Sequence, residues 1–508
     1  MNFRLKFCFV FFFGLFIVCE GKYGYVVGCN NQFCVNTTDY FSDIPDVHIA
    51  RATYSNDINE TGWAFLEIHS MANIPDEKQA FGAGFLEGYL TRDLIWWHWQ
   101  NMLKGYCFNK TDVCGLIEEY IDRNEKYISD MVRQYSNDPY WYQVKLYYIQ
   151  IEGLAAGYKA ATEDAYQWLT VRDIVTINLD FDGFRIKALR LDHRAILSRS
   201  VLILERDSSK SSCGQSTDDF YIISSGLVSA ETTIGNSNRT LFEKVNPIGT
   251  IMEFVRAMIA NRLARSGKEW VHIFRKHNSG TYNNQWYIVD YKKFRPRTQE
   301  QPEPVIENGL LYIIEQLPGY TEAADLTLEL KQQTYFPSYN IPYFPGVFNL
   351  SGGWVRVQTY GDWFGYHTNP RAKIIKEKQG KIRNLRDMYY TMRYNDFKHD
   401  PLSRCSQCNP PYSGCNAIAA RNDLNPANGT YPFRALGHRS HGATDVKITS
   451  ATLYRTYSFL SVSSPTHNIS RGIPPFAWSE FDLGNSISHV GHPDVWLFSP
   501  LLHQWEWE

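Results

Sequence analysis

Beyond its first residues, this chain of 508 residues has no long apolar run. A membrane-spanning helix needs roughly 20 consecutive apolar residues, so no later segment reads as a transmembrane span. An excess of one charge is missing as well, since 51 Lys and Arg oppose 53 Asp and Glu for a formal net charge of −2. Nucleic-acid binders present a basic face, and this balance gives no electrostatic case for that class of partner. There is no Gly-x-Ser-x-Gly elbow, which leaves an α/β-hydrolase serine mechanism unsupported. Internal repeats and heptads are absent too. No cofactor or metal site is indicated, because the pair Cys405/Cys408 has no second ligand pair at zinc spacing.

What is present begins at the N-terminus. Arg4 and Lys6 precede an apolar run from Phe7 to Val18, the charged and hydrophobic regions of a signal peptide. Small Gly21 places cleavage nearby, so residues 1–21 read as a targeting segment. The compartment expected is the secretory pathway, with the lysosome lumen and secretion both open. Asn36, Asn59, Asn109, Asn238, Asn349, Asn428 and Asn468 each stand two residues before Ser or Thr with no intervening Pro. Behind a signal peptide, such sequons are expected to carry glycans on exposed loops. In an oxidising lumen the close pairs Cys29/Cys34, Cys107/Cys114 and Cys405/Cys408 read as small disulfide loops. Cys213 and Cys415 stand apart; they could pair, or Cys213 could be free or act chemically.

Aromatic residues make up 15% and charged ones 20%, the balance of a well-buried globule rather than a chain with disordered arms. Trp63–His69 reads as a strand. Periodicity predicts helices over Gln79–Leu103, Leu116–Tyr135, Tyr140–Lys159 and Pro247–His277. Strands are predicted over Ile174–Phe184, Val201–Leu204, Phe220–Ile223, Leu227–Val228, Trp286–Tyr291 and Gly309–Glu315, with a loop over Ser208–Ser216 and a Pro-rich connection over Pro296–Pro304. Sheets and helices without a regular βαβ period favour a layered arrangement over a doubly wound sheet. The division expected is a helix-rich part over 22–217 and a second part over 218–508.

Several strings in the second part are long enough to carry a resemblance. They are Asp218-Asp-Phe-Tyr-Ile-Ile-Ser-Ser-Gly-Leu-Val228, Glu231-Thr-Thr-Ile-Gly-Asn236, Asn278-Ser-Gly-Thr-Tyr-Asn-Asn-Gln-Trp286, Tyr339-Asn-Ile-Pro342, Tyr360-Gly-Asp-Trp-Phe364, Arg393-Tyr-Asn-Asp-Phe397, His399-Asp-Pro401 and Asp423-Leu-Asn-Pro-Ala-Asn428. Together they resemble the phospholipase B-like family of lysosomal and secreted glycoproteins. The resemblance implies an α+β, N-terminal-nucleophile hydrolase fold, an αββα sandwich of two antiparallel sheets between helical layers. It further implies hydrolysis of acyl ester or amide bonds, with a phospholipid or other acyl lipid as substrate. In such enzymes a precursor cuts its backbone before a Cys. The new α-amine, with an intrinsic pKa near ~8, then serves as base for the thiol.

By the same resemblance, Thr233 lines the site, Asn340 faces the nucleophile and can donate to an oxyanion, and Arg371 lowers a thiol pKa or binds developing charge. The nucleophile itself belongs to a Ser-Cys-Ser-Ala-Leu-Ile type string that this chain lacks. Its stretch from Tyr166 to Thr217 is shorter than the family's and does not match it. Cys213, after Ser212, is the one cysteine available, but Gly214–Thr217 is polar where a strand should follow. His399-Asp400 and His438-Arg-Ser-His441 read as exposed or hydrogen-bonded histidines, and Asp218-Asp219 as a strand entry rather than an acid/base pair. An impaired paralogue or isoform, acting as a lumenal lipid- or glycan-binding glycoprotein, is the alternative expectation.

Overall fold

The computed structural model describes residues 22–29, 32–107, 111–178 and 220–504. The predicted signal segment, Asn109, Cys213, Asp218-Asp219, the predicted strand Val201–Leu204 and the predicted loop Ser208–Ser216 lie outside the described residues, as does the side chain of Cys29.

Four antiparallel strands open the chain: β1 (Lys22–Cys29), β2 (Gln32–Thr38), β3 (Ala50–Asp57) and β4 (Trp63–Ser70), in the order β2-β1-β3-β4. Alternate residues of β3 turn inward, so Ala50, Ala52 and Tyr54 pack with Val26 and Leu66. Helix α1 (Asp76–Leu90) covers them with Phe85, Leu86 and Leu90. The helix predicted over Gln79–Leu103 is in fact two. Thr91, at φ −101° and ψ 18°, leaves the helical region, and its hydroxyl donates to Glu87 O, ending α1 before α2 (Arg92–Met102) begins. The next two helices, α3 (Thr111–Gln134) and α4 (Pro139–Ala161), fall where periodicity placed them. Asp138 caps α4 by accepting from the backbone of Tyr140 and Trp141, with Pro139 in the first turn.

Helices α1 and α4 meet backbone to backbone. A β-carbon on Gly84 would lie 2.0 Å from Gln150 O, and one on Gly88 2.0 Å from Leu154 O. From the other side, Gly153 and Gly157 stand in the same relation to Phe81 O and Phe85 O, at 2.2 and 1.9 Å. Two glycines at i, i+4 on each helix make both approaches possible, because any side chain there would occupy the partner's carbonyl.

The segment read as a strand from Ile174 begins instead as helix α5 (Val171–Asn178). Its β-branched residues disfavour a helix only weakly. The Thr170–Asp173 exchange of hydrogen bonds starts the turn, and Ile174 and Val175 are buried in the main core.

After residue 219 come β5 (Phe220–Ile223), β6 (Leu227–Thr233), α6 (Glu253–Leu263), α7 (Gly267–Phe274), β7 (Asn284–Asp290), β8 (Leu311–Leu317) and β9 (Tyr320–Asp325). The strands form an antiparallel sheet in sequential order. The single helix predicted over Pro247–His277 breaks where Ala264 turns extended. It restarts at Ser266, whose hydroxyl accepts from Glu269 N at 3.2 Å.

Both faces of the five-stranded sheet are buried. Tyr221, Ile223, Leu227, Trp286, Ile288 and Ile314 pack on α4, α6 and α7. Each large apolar side chain fully buried this way contributes roughly 1.5–3 kcal/mol. On the other face, Ile222 and Val228 meet Phe459, while Leu311, Ile313 and Leu317 meet Phe344 and Val347. Phe459 belongs to a second antiparallel sheet, β10 (Asp445–Ile448), β11 (Phe459–Ser463) and β12 (Leu501–His503). Between β9 and β10 lie, among others, α8 (Pro370–Gln379) and α9 (Leu385–Met392). Leu385, Met388 and Tyr389 of α9 cover Val446, Ile448 and Val462 of the second sheet. This part is therefore mixed α+β, with antiparallel sheets packed on one another at Phe459 and against helices.

Disulfides join Cys107 to Cys114 and Cys405 to Cys408, and Cys34 is disulfide-bonded. Among the described residues no helix is long and apolar enough to cross a membrane. Of the sequon asparagines, Asn36, Asn59, Asn349, Asn428 and Asn468 are exposed. Asn238 is half-buried, and its amide donates to Leu350 O at 3.0 Å.

The glycine contact gives a stability prediction. Gly157→Ala, whose β-carbon cannot rotate away from Phe85 O, should destabilise by about 3 kcal/mol, the upper range of overpacking. Gly115→Ala on α3 has open space around it and should be neutral or stabilising by up to ~1 kcal/mol. Guanidinium unfolding of the two variants measures both; equal effects would refute the contact.

Candidate active site

Thr233, Asn340 and Arg371 come from three separate elements, and the fold joins them in a line. Thr233 ends β6, where the ladder to β7 closes on the pair Thr233–Asn284. Its hydroxyl is 2.5 Å from the Tyr282 hydroxyl. Asn340 lies on the connection after β9 with φ +58°, a left-handed conformation that asparagine tolerates better than most residues. Arg371 occupies the first turn of α8 because Asn369 caps that helix, accepting from Ala372 N at 2.9 Å, and Pro370 follows the cap. Asn340 Nδ2 donates to Thr233 O at 2.9 Å, and Arg371 Nη1 donates to Asn340 Oδ1 at 2.8 Å. Asn340 is exposed, and its second Nδ2 hydrogen has no partner among the described residues.

This line is braced from within. The carbonyl of Tyr282 accepts from Gln316 Nε2 at 2.7 Å, and Gln316 Oε1 accepts from Arg256 Nη2 at 2.8 Å. Arg256 is fully buried, donating also to Ile251 O and Phe274 O, and so ties α6 and α7 to β8. Glu315 of β8 is likewise fully buried. It accepts from Gln285 Nε2 at 2.6 Å, Tyr343 N at 2.6 Å and Phe344 N at 3.1 Å. Burial raises its carboxyl to about 7 even though these three donors pull it down.

Arg371 is lowered from its ordinary range by burial, and that shift is opposed by the neighbouring Cys415 thiol and Tyr339 hydroxyl. An arginine so placed remains a cation. Cys415 is a buried free thiol. Burial pushes its thiol up, while Arg371 and Arg439 pull it down. The arrangement supplies an amide donor, a guanidinium and two hydroxyls at one sheet end. Among the described residues the thiol beside this line is Cys415, and Cys213 lies outside them.

The histidines noted in the sequence are hydrogen-bonded. His399 meets Asp396 at 2.7 Å, His438 meets Asp482 at 2.6 Å, and His441 meets Asn422 at 3.0 Å. Sequence reasoning missed Tyr282, Arg256, Gln316, Glu315 and the place of Cys415. A signal existed for Glu315, a lone carboxylate inside the apolar run Leu310–Leu317.

The Phospholipase B family model matches residues 50–206 and 205–503. The chain belongs to the phospholipase B family. It is 38% identical over 523 residues to the Homo sapiens protein named "Putative phospholipase B-like 2", covering 91% of this chain and 86% of that protein. It is 36% identical over 505 residues to "Putative phospholipase B-like 1" of Caenorhabditis elegans, covering 90% and 87%. Against "Phospholipase B-like protein B" of Dictyostelium discoideum it is 31% identical over 516 residues, covering 90% and 86%. In the human comparison, 91% of 508 residues is about 462, so about 60 of the 523 aligned positions face no residue of this chain. The two family matches meet at 205–206, inside the stretch from 166 to 217.

Native Cys415 should resist iodoacetamide at neutral pH and react once the chain is unfolded. Peptide mapping of the labelled protein reads this, and labelling of Cys415 in the folded state would contradict its burial beside Arg371.

Proposed function

We propose that this chain is a phospholipase B-like hydrolase of the lysosomal or secreted type, cleaving acyl ester or amide bonds of lipids by N-terminal-nucleophile chemistry. The observation that carries the reading is the hydrogen-bonded line Thr233–Asn340–Arg371 at the end of the five-stranded sheet. Its support in the fold is the packing of antiparallel sheets on one another and against helices, which suits the αββα sandwich of that superfamily. In this chemistry the α-amine takes the thiol proton as the sulfur attacks the acyl carbon, and the oxyanion forms within reach of the second Asn340 N–H. Its collapse breaks the substrate's ester or amide bond, and the leaving alcohol or amine takes the proton from the ammonium, which leaves an acyl thioester. Water then releases the acyl group. Arg371 stabilises developing negative charge nearby. Cleavage before Cys213 would divide the chain close to the proposed boundary between 22–217 and 218–508. The exposed sequon asparagines fit a glycosylated lumenal protein.

One observation favours a second reading, a catalytically impaired paralogue or isoform that binds lipid or glycan. The roughly 60 aligned positions without a counterpart, and the two family matches meeting at 205–206, fit loss of the self-processing strand from a scaffold otherwise kept.

A denaturing gel of the purified protein, with N-terminal sequencing of each band, separates the two. Two fragments, the second beginning at Cys213, support the hydrolase; one full-length band supports the binding protein. Cleavage that survives Cys213→Ala rules out that cysteine. In an active preparation, Asn340→Ala should lower kcat by about 10²–10³-fold, the usual loss for one oxyanion donor.

A further inference from the structure

We infer that Glu315 is the positioning residue of this site, holding the Tyr339–Phe344 segment against the sheet so that Asn340 stays between Thr233 and Arg371. The inference rests on the reading of Asn340 as the oxyanion donor. Strand alternation puts Glu315 on the same face as Leu311, Ile313 and Leu317, the face covered by Phe344 and Val347. A carboxylate fully buried on an apolar face is costly unless its lone pairs are filled. Here they are filled by Gln285 of the neighbouring strand and by two consecutive backbone N–H groups of the covering segment, Tyr343 and Phe344.

The segment has little else to fix its height above the sheet near Asn340. Other contacts are the Thr232–Ser338 hydroxyl pair, the packing of Tyr339 and Tyr343 on Tyr366 and of Tyr343 on Phe336, and the Tyr366 hydroxyl, which donates to Pro337 O at 2.9 Å. The last of these holds backbone, but three residues before Asn340 and on the opposite side of it from Tyr343. Asn340 lies only three residues before Tyr343, with Pro342 between them stiffening the link. The left-handed turn at Asn340 therefore has a fixed end on each side, the carboxylate on one and Thr233 O on the other. Glu315 touches neither Asn340 nor Arg371 and acts through the backbone.

Glu315→Gln keeps the shape but sets an amide N–H against a backbone N–H, so one donor of the covering segment loses its acceptor. Hydrogen exchange read by mass spectrometry with residue-level fragmentation tests the effect. In the native protein the Tyr343 and Phe344 amides should be strongly protected. In the variant they should exchange at least about ten times faster, with β6 and β7 unchanged. Fast exchange at both amides in the native chain, or unaltered exchange in a folded variant, overturns the inference. The native measurement stands even where the variant does not fold. If the chain hydrolyses a lipid ester, the variant should lose kcat about tenfold with KM within about twofold, since the misplaced donor serves the transition state. A KM defect of the same size with kcat unchanged would overturn the positioning role. Native protection with faster exchange in the variant, but no hydrolysis in either protein, leaves Glu315 as the anchor and removes the hydrolase reading instead.

Discussion

The contact on which most of the architecture rests is the one between the backbones of α1 and α4. Helices usually pack with their axes 8–10 Å apart, separated by side chains. Here four glycines remove that spacer, so the carbonyls of each helix occupy the space where the partner's side chains would stand. The outer face of α1 closes the core of the first sheet, and α4 forms a wall of the main core. Both cores can close on one helix pair only because the pair is thin. The same helix α4 also reaches the second half of the chain, where Gln150 accepts from Arg262 on α6 at 2.9 Å.

From that wall inward, order passes through polar groups that cannot leave. Arg256 is fully buried with its donors on main-chain carbonyls and on Gln316. Losing any of these bonds would strand a charged donor away from water, which costs more than the bond itself contributes. The consequence is that the end of the five-stranded sheet, where Tyr282 and Thr233 meet, is held from the helical side by Arg256 and Gln316. From the opposite face it is held by Glu315. The site is built where the β6–β7 ladder runs out, so its hydroxyls and amides are not consumed by strand pairing.

Much of this was legible in the sequence, and the failures have physical reasons. Strands that read as short continuous apolar runs, such as Phe220–Ile223 and the run from Trp286, were placed correctly because both faces of their sheet are buried. The helix breaks at Thr91 and at Ala264–Ser266 were missed because apolar periodicity continues through them; only the Ser266-Gly-Lys-Glu269 cap marked the second. The start of the run Ile174–Phe184 was misread because β-branched residues speak for strand while a local cap and the core decide for helix; its residues from 179 on lie outside the described ones. The spacings Gly84/Gly88 and Gly153/Gly157 were in plain view, yet a glycine spacing says nothing until it is known which helix it faces. Thr233, Asn340 and Arg371 were found through resemblance. Their hydrogen bonds run between residues 31 and 107 positions apart, a relation no local pattern encodes.

That separation also bears on what the site's survival means. Asn340 and Arg371 find their partners in β6, in the connection after β9 and in α8, all outside the stretch from 166 to 217. Their geometry is set by a helix cap, by a left-handed turn and by a buried carboxylate, none of which needs a nucleophile to be in place. A chain that lost the nucleophile strand would keep these residues where they are, because they help the connection and α8 to fold. Their persistence is therefore a property of the scaffold as well as of the chemistry. On the hydrolase reading the deciding feature is the nucleophile, which none of these elements supplies. A cysteine with a free α-amine beside this line makes it an oxyanion site, and without one it is a polar seam at the edge of a sheet.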